Sequence, residues 1–240
     1  MSLIMFAATP VKRENKMEAV KEGIILVDKP SGVTSHDVVD MVRHKLGLRR
    51  VGHAGTLDPL AEGLLIMLVG RATKLFPQFV NFDKEYFGVL KLGEMTTTCD
   101  SQGEVTKTGD TSVVSDSGIL SSFKRFEGEF DQIPPMVSAL HVKGKRLYKL
   151  ARKGITIERQ PRRIKIYKIN VQKIDMPYVE FYAHCSKGTY IRKLAEDVGE
   201  VLGCGAHIVK IKRLSVGPFK LEDAVKPEKI DEKALRPFSL

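Results

Sequence analysis

The 240-residue sequence predicts an α+β fold, a central sheet with helices laid beside it. Three observations carry that expectation. Apolar runs of strand length recur at uneven spacing, helix-period patterns fall between only some of them, and no regular βαβ alternation appears. The turn KPSGVTS lacks the spacing of a phosphate-binding P-loop, so a doubly wound nucleotide-binding fold has no support.

Taken in order, GIILVD (Gly23 to Asp28) reads as a buried strand ended by the turn KPSG. Ser35 is placed as N-cap of the helix SHDVVDMVRHKLGL, in which Val38, Val42 and Leu46 share a face and Gly47 supplies the stop. After the loop around Asp58, LLIMLVG is a second buried strand, and KEYFGVLKLGE is a third with half-alternating polarity. Met95 to Asp116, rich in Thr, Ser, Gly and Asp, reads as an irregular loop. Ile119, Leu120, Phe123 and Phe126 then predict a short helix stopped at Gly128. Past Pro134-Pro135 the expectation is a short strand, a turn at Gly144 and a basic helix. The strands ITIE, RRIKIYKINVQKID and YVEFYAHCS follow, then a helix in TYIRKLAEDVGEVLG and a strand in HIVKIKRLSVGPF. No internal repeat is visible.

Composition narrows the function classes. No run approaches the roughly 20 apolar residues of a membrane span, and no lipidation signal or amphipathic helix with exposed aromatics is found, so no membrane partner is expected. Residues 1–22 read as a disordered leader, since their basic residues follow the apolar start, the reverse of a signal peptide. Cys99, Cys185 and Cys204 form no C-x-x-C pair, which argues against a disulfide framework and points to the cytoplasm. The net charge is +10, and between Lys143 and Lys168 eleven lysines and arginines face the single acid Glu158. Charge concentrated in this way favours a polyanionic partner.

Few residues could carry chemistry. There is no G-x-S-x-G, no H-E-x-x-H and no carboxylate cluster, so neither a hydrolytic triad nor a metal site is expected. Asp58, in GHAGTLDPLAEGLL, precedes a proline that keeps it out of the α region, and Gly52 and Gly55 loosen the approach to it. It is either a turn-former or a displayed, reactive carboxylate. In CSKGTYIRKLAEDVGE, Gly188 breaks a strand and Thr189 is placed as a helix cap, which puts Tyr190 and Arg192 in the first helical turn. An arginine there opposes the helix dipole, so a carboxylate partner is expected, and such a pair would orient the acid.

The ordered set GIILVDKPSGVTS, GHAGTLDPLAEGLL, GRATKL, DKEYFGVLKLG, QIPPMVSA, GKRLYKLARKG and CSKGTYIRKLAEDVGEVLGCGAH resembles the TruB family of tRNA pseudouridine synthases over roughly Gly23 to Phe219. The resemblance implies a mixed, mainly antiparallel central sheet with flanking helices. It also implies isomerisation of the T-loop uridine at position 55 of tRNA. On it, Asp58 matches the catalytic aspartate, Arg192 its partner, and Tyr86 the tyrosine that stacks on a flipped base. His53 would fill the space the base leaves, while Tyr190 and Ile211 would line the pocket. Lys29 is a phosphate or active-site loop contact, with plain turn chemistry as the alternative. Asp100 either bonds active-site basic residues or caps its loop. Lys143, Lys145, Arg146, Lys149, Arg152 and Lys153 are expected along the RNA backbone. The isomerisation adds and oxidises nothing, so no cofactor is implied, and the expected partner is the T arm of tRNA, bound by a monomer with no obligate protein partner.

Thr97 stands where the family commonly has aspartate, His141 where it has lysine, and Ile211 where it often has leucine. Family members usually carry a PUA-type C-terminal domain, for which residues 221–240 are too short. The expected organisation is therefore a catalytic domain over 23–220 and a short tail over 221–240. Two other readings stay open: an RNA-binding folding factor whose catalysis is incidental, and the guide-dependent relative that acts on ribosomal RNA and shares GTLDP. The run CSKGTYIRKLAEDVGEVLGCGAH speaks against the second.

Overall fold

The structure, a computed structural model, describes residues 22–138, 141–142, 145–146, 155 and 157–238. Its main sheet is nine-stranded. The strands are β1 (Gly23–Lys29), β2 (Val51–His53), β3 (Glu62–Val69), β4 (Lys84–Leu92), β7 (Gly128–Gln132), β10 (Arg162–Asp175), β11 (Tyr178–Cys185), β12 (Ala206–Val216) and β13 (Phe219–Lys220). They run in the order β1-β3-β12-β4-β11-β10-β7, with β2 on β3 and β13 on β12. Every pairing is antiparallel except β3 with β12, which touch in parallel at Glu62–Lys212 and Gly63–Arg213 alone. The mixed, mainly antiparallel α+β architecture is thus present.

The buried strands explain their own sequences. β1 and β3 send Ile25, Val27, Leu65 and Met67 into one core, and Ile24, Leu26, Leu64 and Ile66 into another on the opposite face. A strand covered on both faces has no solvent side, hence the unbroken apolar runs. β4 instead alternates buried and half-buried residues from Lys84 to Leu92, because only one of its faces is fully covered.

The larger core is roofed by α1 (Ser35–Leu46), α3 (Asp116–Lys124) and α4 (Ile191–Leu202). The smaller is closed by α2 (Phe76–Val80) and a Phe79–Phe82–Phe219–Phe238 cluster. Beyond the predicted strands lie β2, β7 and the hairpin of β5 (Glu94–Thr96) with β6 (Val105–Thr108), inside the stretch expected to be an irregular loop. β8 (His141–Val142) pairs with β9 (Lys145–Arg146), where a single short strand was expected; Gly144 and residues 147–154, expected as a turn and a basic helix, fall outside the described residues. Of the expected strand ITIE, the described residues Ile155, Ile157 and Glu158 form none. The leader call also falls largely outside the described residues.

Residues 221–238 do not trail away. Val225 bridges Val27, and Arg236 exchanges backbone hydrogen bonds of 2.9 Å with Ile24 in both directions. The tail so covers the outer edge of β1, which would otherwise present unpaired N–H and C=O groups.

Helix α1 corrects one expectation. Its N-cap is Thr34, not Ser35: Thr34 accepts from the Asp37 amide while the Asp37 carboxylate accepts from the Thr34 amide, a reciprocal box. Ser35 is buried inside the helix, and its hydroxyl bonds both the N–H and the C=O of Leu57, each at 2.9 Å. Thr34→Ala is therefore expected to lower unfolding free energy by about 1 kcal/mol. Ser35→Ala should cost about 1–3 kcal/mol, since it strands two buried backbone groups. Urea unfolding of the two variants checks the order.

Candidate active site

Asp58 lies in the loop that joins β2 to β3. Gly55 takes φ +92°, a conformation open to glycine, whereas Gly52 sits within β2 with no such requirement. The loop is held from below by buried groups. Ser35 clamps Leu57, and the Lys29 ammonium, with no exposed surface, donates to the carbonyls of Pro30 (2.9 Å), Val33 (2.7 Å) and Pro59 (3.4 Å). Enclosed in this way, Lys29 holds the loop and cannot reach a phosphate. Burial pulls its pKa down to about 8, with Asp58 opposing the shift.

The Asp58 carboxylate stands at the mouth, 38% exposed, with one oxygen 2.8 Å from Nε of Arg192, which is 3% exposed. Arg192 is in the first turn of α4 as predicted, but the cap differs. Tyr190 is the N-cap and offers no side-chain bond, while Thr189 donates to Ser186 instead. The buried Gln132 amide holds the cap residue's own backbone, accepting from Tyr190 N–H (2.8 Å) and donating to Tyr190 C=O (3.2 Å).

The rest of the guanidinium draws in other loops. Nη1 donates to Thr98 C=O at 2.8 Å and lies 3.4 Å from Asp100, and Nη2 donates to Val137 C=O at 2.7 Å. Asp100 both pairs with Arg192 and caps its own loop, accepting from Thr98 Oγ1 (2.5 Å) and Gln102 N–H (3.0 Å). The two alternatives for it therefore coexist. That loop is pinned to β12 through the Cys99 and Ser101 backbone, with Cys99 at φ +59°. Burial and the Glu196 carboxylate push the Cys99 thiol up to about 12, so it is no nucleophile at neutral pH.

Tyr86 is buried on β4 opposite Arg213 of β12, within electrostatic reach of Asp58. Tyr190 is half-buried beside Asp58 and Arg192. Burial raises both phenols above the usual tyrosine range. Ile211 pairs with Gly88 and packs in the same core as Tyr86. His53 ends β2, and burial followed by the nearby Arg213 charge lowers its pKa, favouring the neutral ring. Its buried Nδ1 has no hydrogen-bond partner among the described residues.

The structure thus gathers Asp58, Arg192, Asp100, Tyr86 and Tyr190 at one place, with Lys29 beneath the Asp58 loop. Lys143, Lys149, Arg152 and Lys153 lie outside the described residues, and only the strand placement of Lys145 and Arg146 is described. Sequence reasoning missed Ser35 as a loop clamp, Gln132 and Arg213. Only the position of Gln132 just before Pro134-Pro135 could have signalled any of them; Arg213 stands in a strand that also carries Lys210 and Lys212, so nothing marks it out.

Removing the Arg192 charge from between two carboxylates should be severe. Arg192→Met is expected to cost about 3–5 kcal/mol in unfolding free energy, with Arg192→Lys in between because an ammonium cannot serve the same fork of acceptors. Lys29 sets a pH signature. The unfolded chain keeps this proton up to about 10.5 and the folded one only to about 8. The unfolded state then binds more protons in that window, so this group makes unfolding harder as pH rises through it. Unfolding of wild type against Lys29→Met should show a difference that climbs between pH 8 and 10.5; a flat difference would count against the depression.

Comparison with known proteins gives the chain a family. Residues 43–191 match the model of the TruB family pseudouridylate synthase (N terminal domain), and 192–236 match that of the tRNA pseudouridylate synthase B C-terminal domain. The tRNA pseudouridine synthase B of Clostridium tetani is 45% identical over 216 residues, 90% of this chain and 75% of that protein. That of Clostridium kluyveri is 48% identical over 88% of this chain and 72% of its own length. Among solved structures, a Cbf5-Nop10-Gar1 complex superposes with TM-score 0.70 at 31% identity, covering 91% of this chain and 60% of that one. An H/ACA RNP bound to a substrate RNA containing 2′-deoxyuridine gives TM-score 0.65 at 29% identity, over 87% and 52%. The chain therefore spans little more than half the length of those two solved chains. With one family model over residues 43–191, a second over 192–236, and a relative 45% identical across 90% of this sequence, the chain belongs to the TruB family of pseudouridylate synthases.

Proposed function

We propose that this protein isomerises uridine to pseudouridine at position 55, in the T loop of tRNA, with Asp58 as the essential carboxylate. One observation carries the reading: a half-exposed Asp58 carboxylate fixed at 2.8 Å by a buried arginine, with Tyr86 and Tyr190 beside it. A carboxylate so placed can face the sugar or the base of a uridine while its second oxygen remains free.

The reaction breaks the bond from ribose C1′ to N1 and forms one from C1′ to C5. The C5 hydrogen leaves as a proton and N1 ends protonated, so atoms and electrons balance without a cofactor. A base in a folded loop must leave its stack to be reached. An aromatic face offers about 1–3 kcal/mol per stacked base, of the order of the unstacking cost, and Tyr86 is the residue proposed for it. His53, its ring favoured in the neutral form, is proposed to occupy the vacated space. Lys143 to Lys153 are proposed to follow the RNA backbone, and the protein to act as a monomer without an obligate protein partner.

A tRNA substrate is favoured over the guide-dependent alternative by identity: the relatives named tRNA pseudouridine synthase B match at 42–48%, the solved H/ACA chains at 29–30%. A tRNA transcript tritiated at uridine C5 tests the proposal, since forming the new bond must expel that label. Wild type should release one label per tRNA. Asp58→Asn should bind tRNA while releasing label at least about a thousandfold more slowly. Equal release by both would remove Asp58 from the chemistry, and none by either, with binding intact, would favour the RNA-folding reading.

A further inference from the structure

Arg213 is the largest fully buried side chain, 2% exposed, and no carboxylate among the described residues pairs with it. Its place in the sheet is unusual. β12 meets β3 only at Glu62 and Gly63, and further along that edge β3 pairs with β2 at Met67 to Val69. The two strands therefore fork, and the loop bearing Asp58 emerges within the fork. Gly63 takes φ +100° there, and a Cβ would come within 2.4 Å of the Arg213 carbonyl, so only glycine allows the strands to meet.

The guanidinium fills the fork. Nε donates to Leu64 C=O at 2.7 Å, on the edge of β3 that β12 has left. Nη2 donates to Gly55 C=O at 3.2 Å, and Nη1 lies 3.5 Å from Thr56 C=O. On the other side stands Tyr86, directly opposite Arg213 in the β4–β12 register, with its phenol oxygen facing the guanidinium. A guanidinium carries only donors, so a phenol meeting it must accept and turn its own O–H away from it. Burying a charge without a counter-ion is costly, and an apolar side chain would fill such a space at less cost. Its bonds to the loop carbonyls account for a cation here, as those of Lys29 do; the phenol set opposite it is a second contact that holding the loop does not require.

We propose that Arg213 is a positioning residue for the isomerisation, one buried cation that sets both the loop bearing Asp58 and the orientation of the Tyr86 hydroxyl. The proposal rests on the isomerase reading above. Neither Asp58 nor Tyr86 is bonded to the other; each is referred to the same planar group, across the fork for one and across a strand pair for the other.

The test measures single-turnover label release, tRNA affinity and thermal unfolding for wild type, Arg213→Lys and Arg213→Met. Arg213→Lys keeps the charge but not the planar fork. It is expected to unfold cooperatively and bind tRNA within about threefold of wild type, while its rate constant falls between about ten- and a hundredfold. Arg213→Met should fall further at a temperature where it is still folded, so that the lysine gives a partial rescue. A lysine variant with an unchanged rate would overturn the proposal. So would a loss seen only in affinity, or a loss of cooperative unfolding in both variants, which would make the residue architectural. A wild type that releases no label would instead overturn the isomerase reading, which separates the two failures.

Discussion

The Arg192 guanidinium is the constraint on which the site depends. It is nearly without exposed surface and joins Asp58, Asp100 and the carbonyls of Thr98 and Val137, groups from three separate loops. Each bond alone is modest, but a buried cation with a vacant donor is costly, so the loops are held as a set. A planar fork also fixes direction: the Asp58 oxygen is placed by the plane of the guanidinium as well as by its charge. The helix that carries Arg192 lacks a side-chain cap, and Gln132 supplies the bonds at its start. Strand β7, the opening turn of α4 and the Asp58 loop are thereby linked at one point.

Around that point the protein uses cations where an apolar core would be easier to build. Lys29 and Arg213 are both buried, and both are satisfied by backbone carbonyls, not by carboxylates. The carbonyls they collect belong to the turns on either side of Asp58: Gly55 before it, Pro59 after it. A loop would ordinarily hold its shape through its own hydrogen bonds and stay mobile; this one is bonded from beneath by side chains of β1, β12 and α1. The result is a rigid mount for one half-exposed carboxylate, which is what a reaction governed by orientation requires.

Much of the fold was legible because it depends on local periodicity. The unbroken apolar runs of β1 and β3, the alternation in β4 and the i, i+4 spacing of Val38, Val42 and Leu46 all correspond to what the core demands. Short pieces escaped, as β2, β5, β6 and β7 did, because a strand of three to five residues has too little pattern and is defined by its partner. The cap at α1 was placed one residue late because Thr34 and Ser35 are both competent caps. Only the tertiary contact between Ser35 and Leu57 decides between them.

The sequence by itself determined the fold class and the order of the motifs, and it singled out Asp58, Arg192 and Tyr86 as the residues able to carry chemistry. The first two follow from near-neighbour chemistry, an acid before a proline and an arginine where a helix dipole opposes it; Tyr86, an aromatic on an alternating strand, was marked only by its match to the family's motif. What the tertiary structure decided is which charges are buried and what each one faces. In the string of letters Lys29, Arg213 and the basic residues after Lys143 are the same kind of residue. Folding takes the first two out of water and bonds them to backbone carbonyls, with the Tyr86 phenol also facing Arg213. It also covers the edge of β1 with residues 224–236 and joins Asp100 to Arg192. Burial and long-range pairing depend on where distant segments meet, and no local pattern records that.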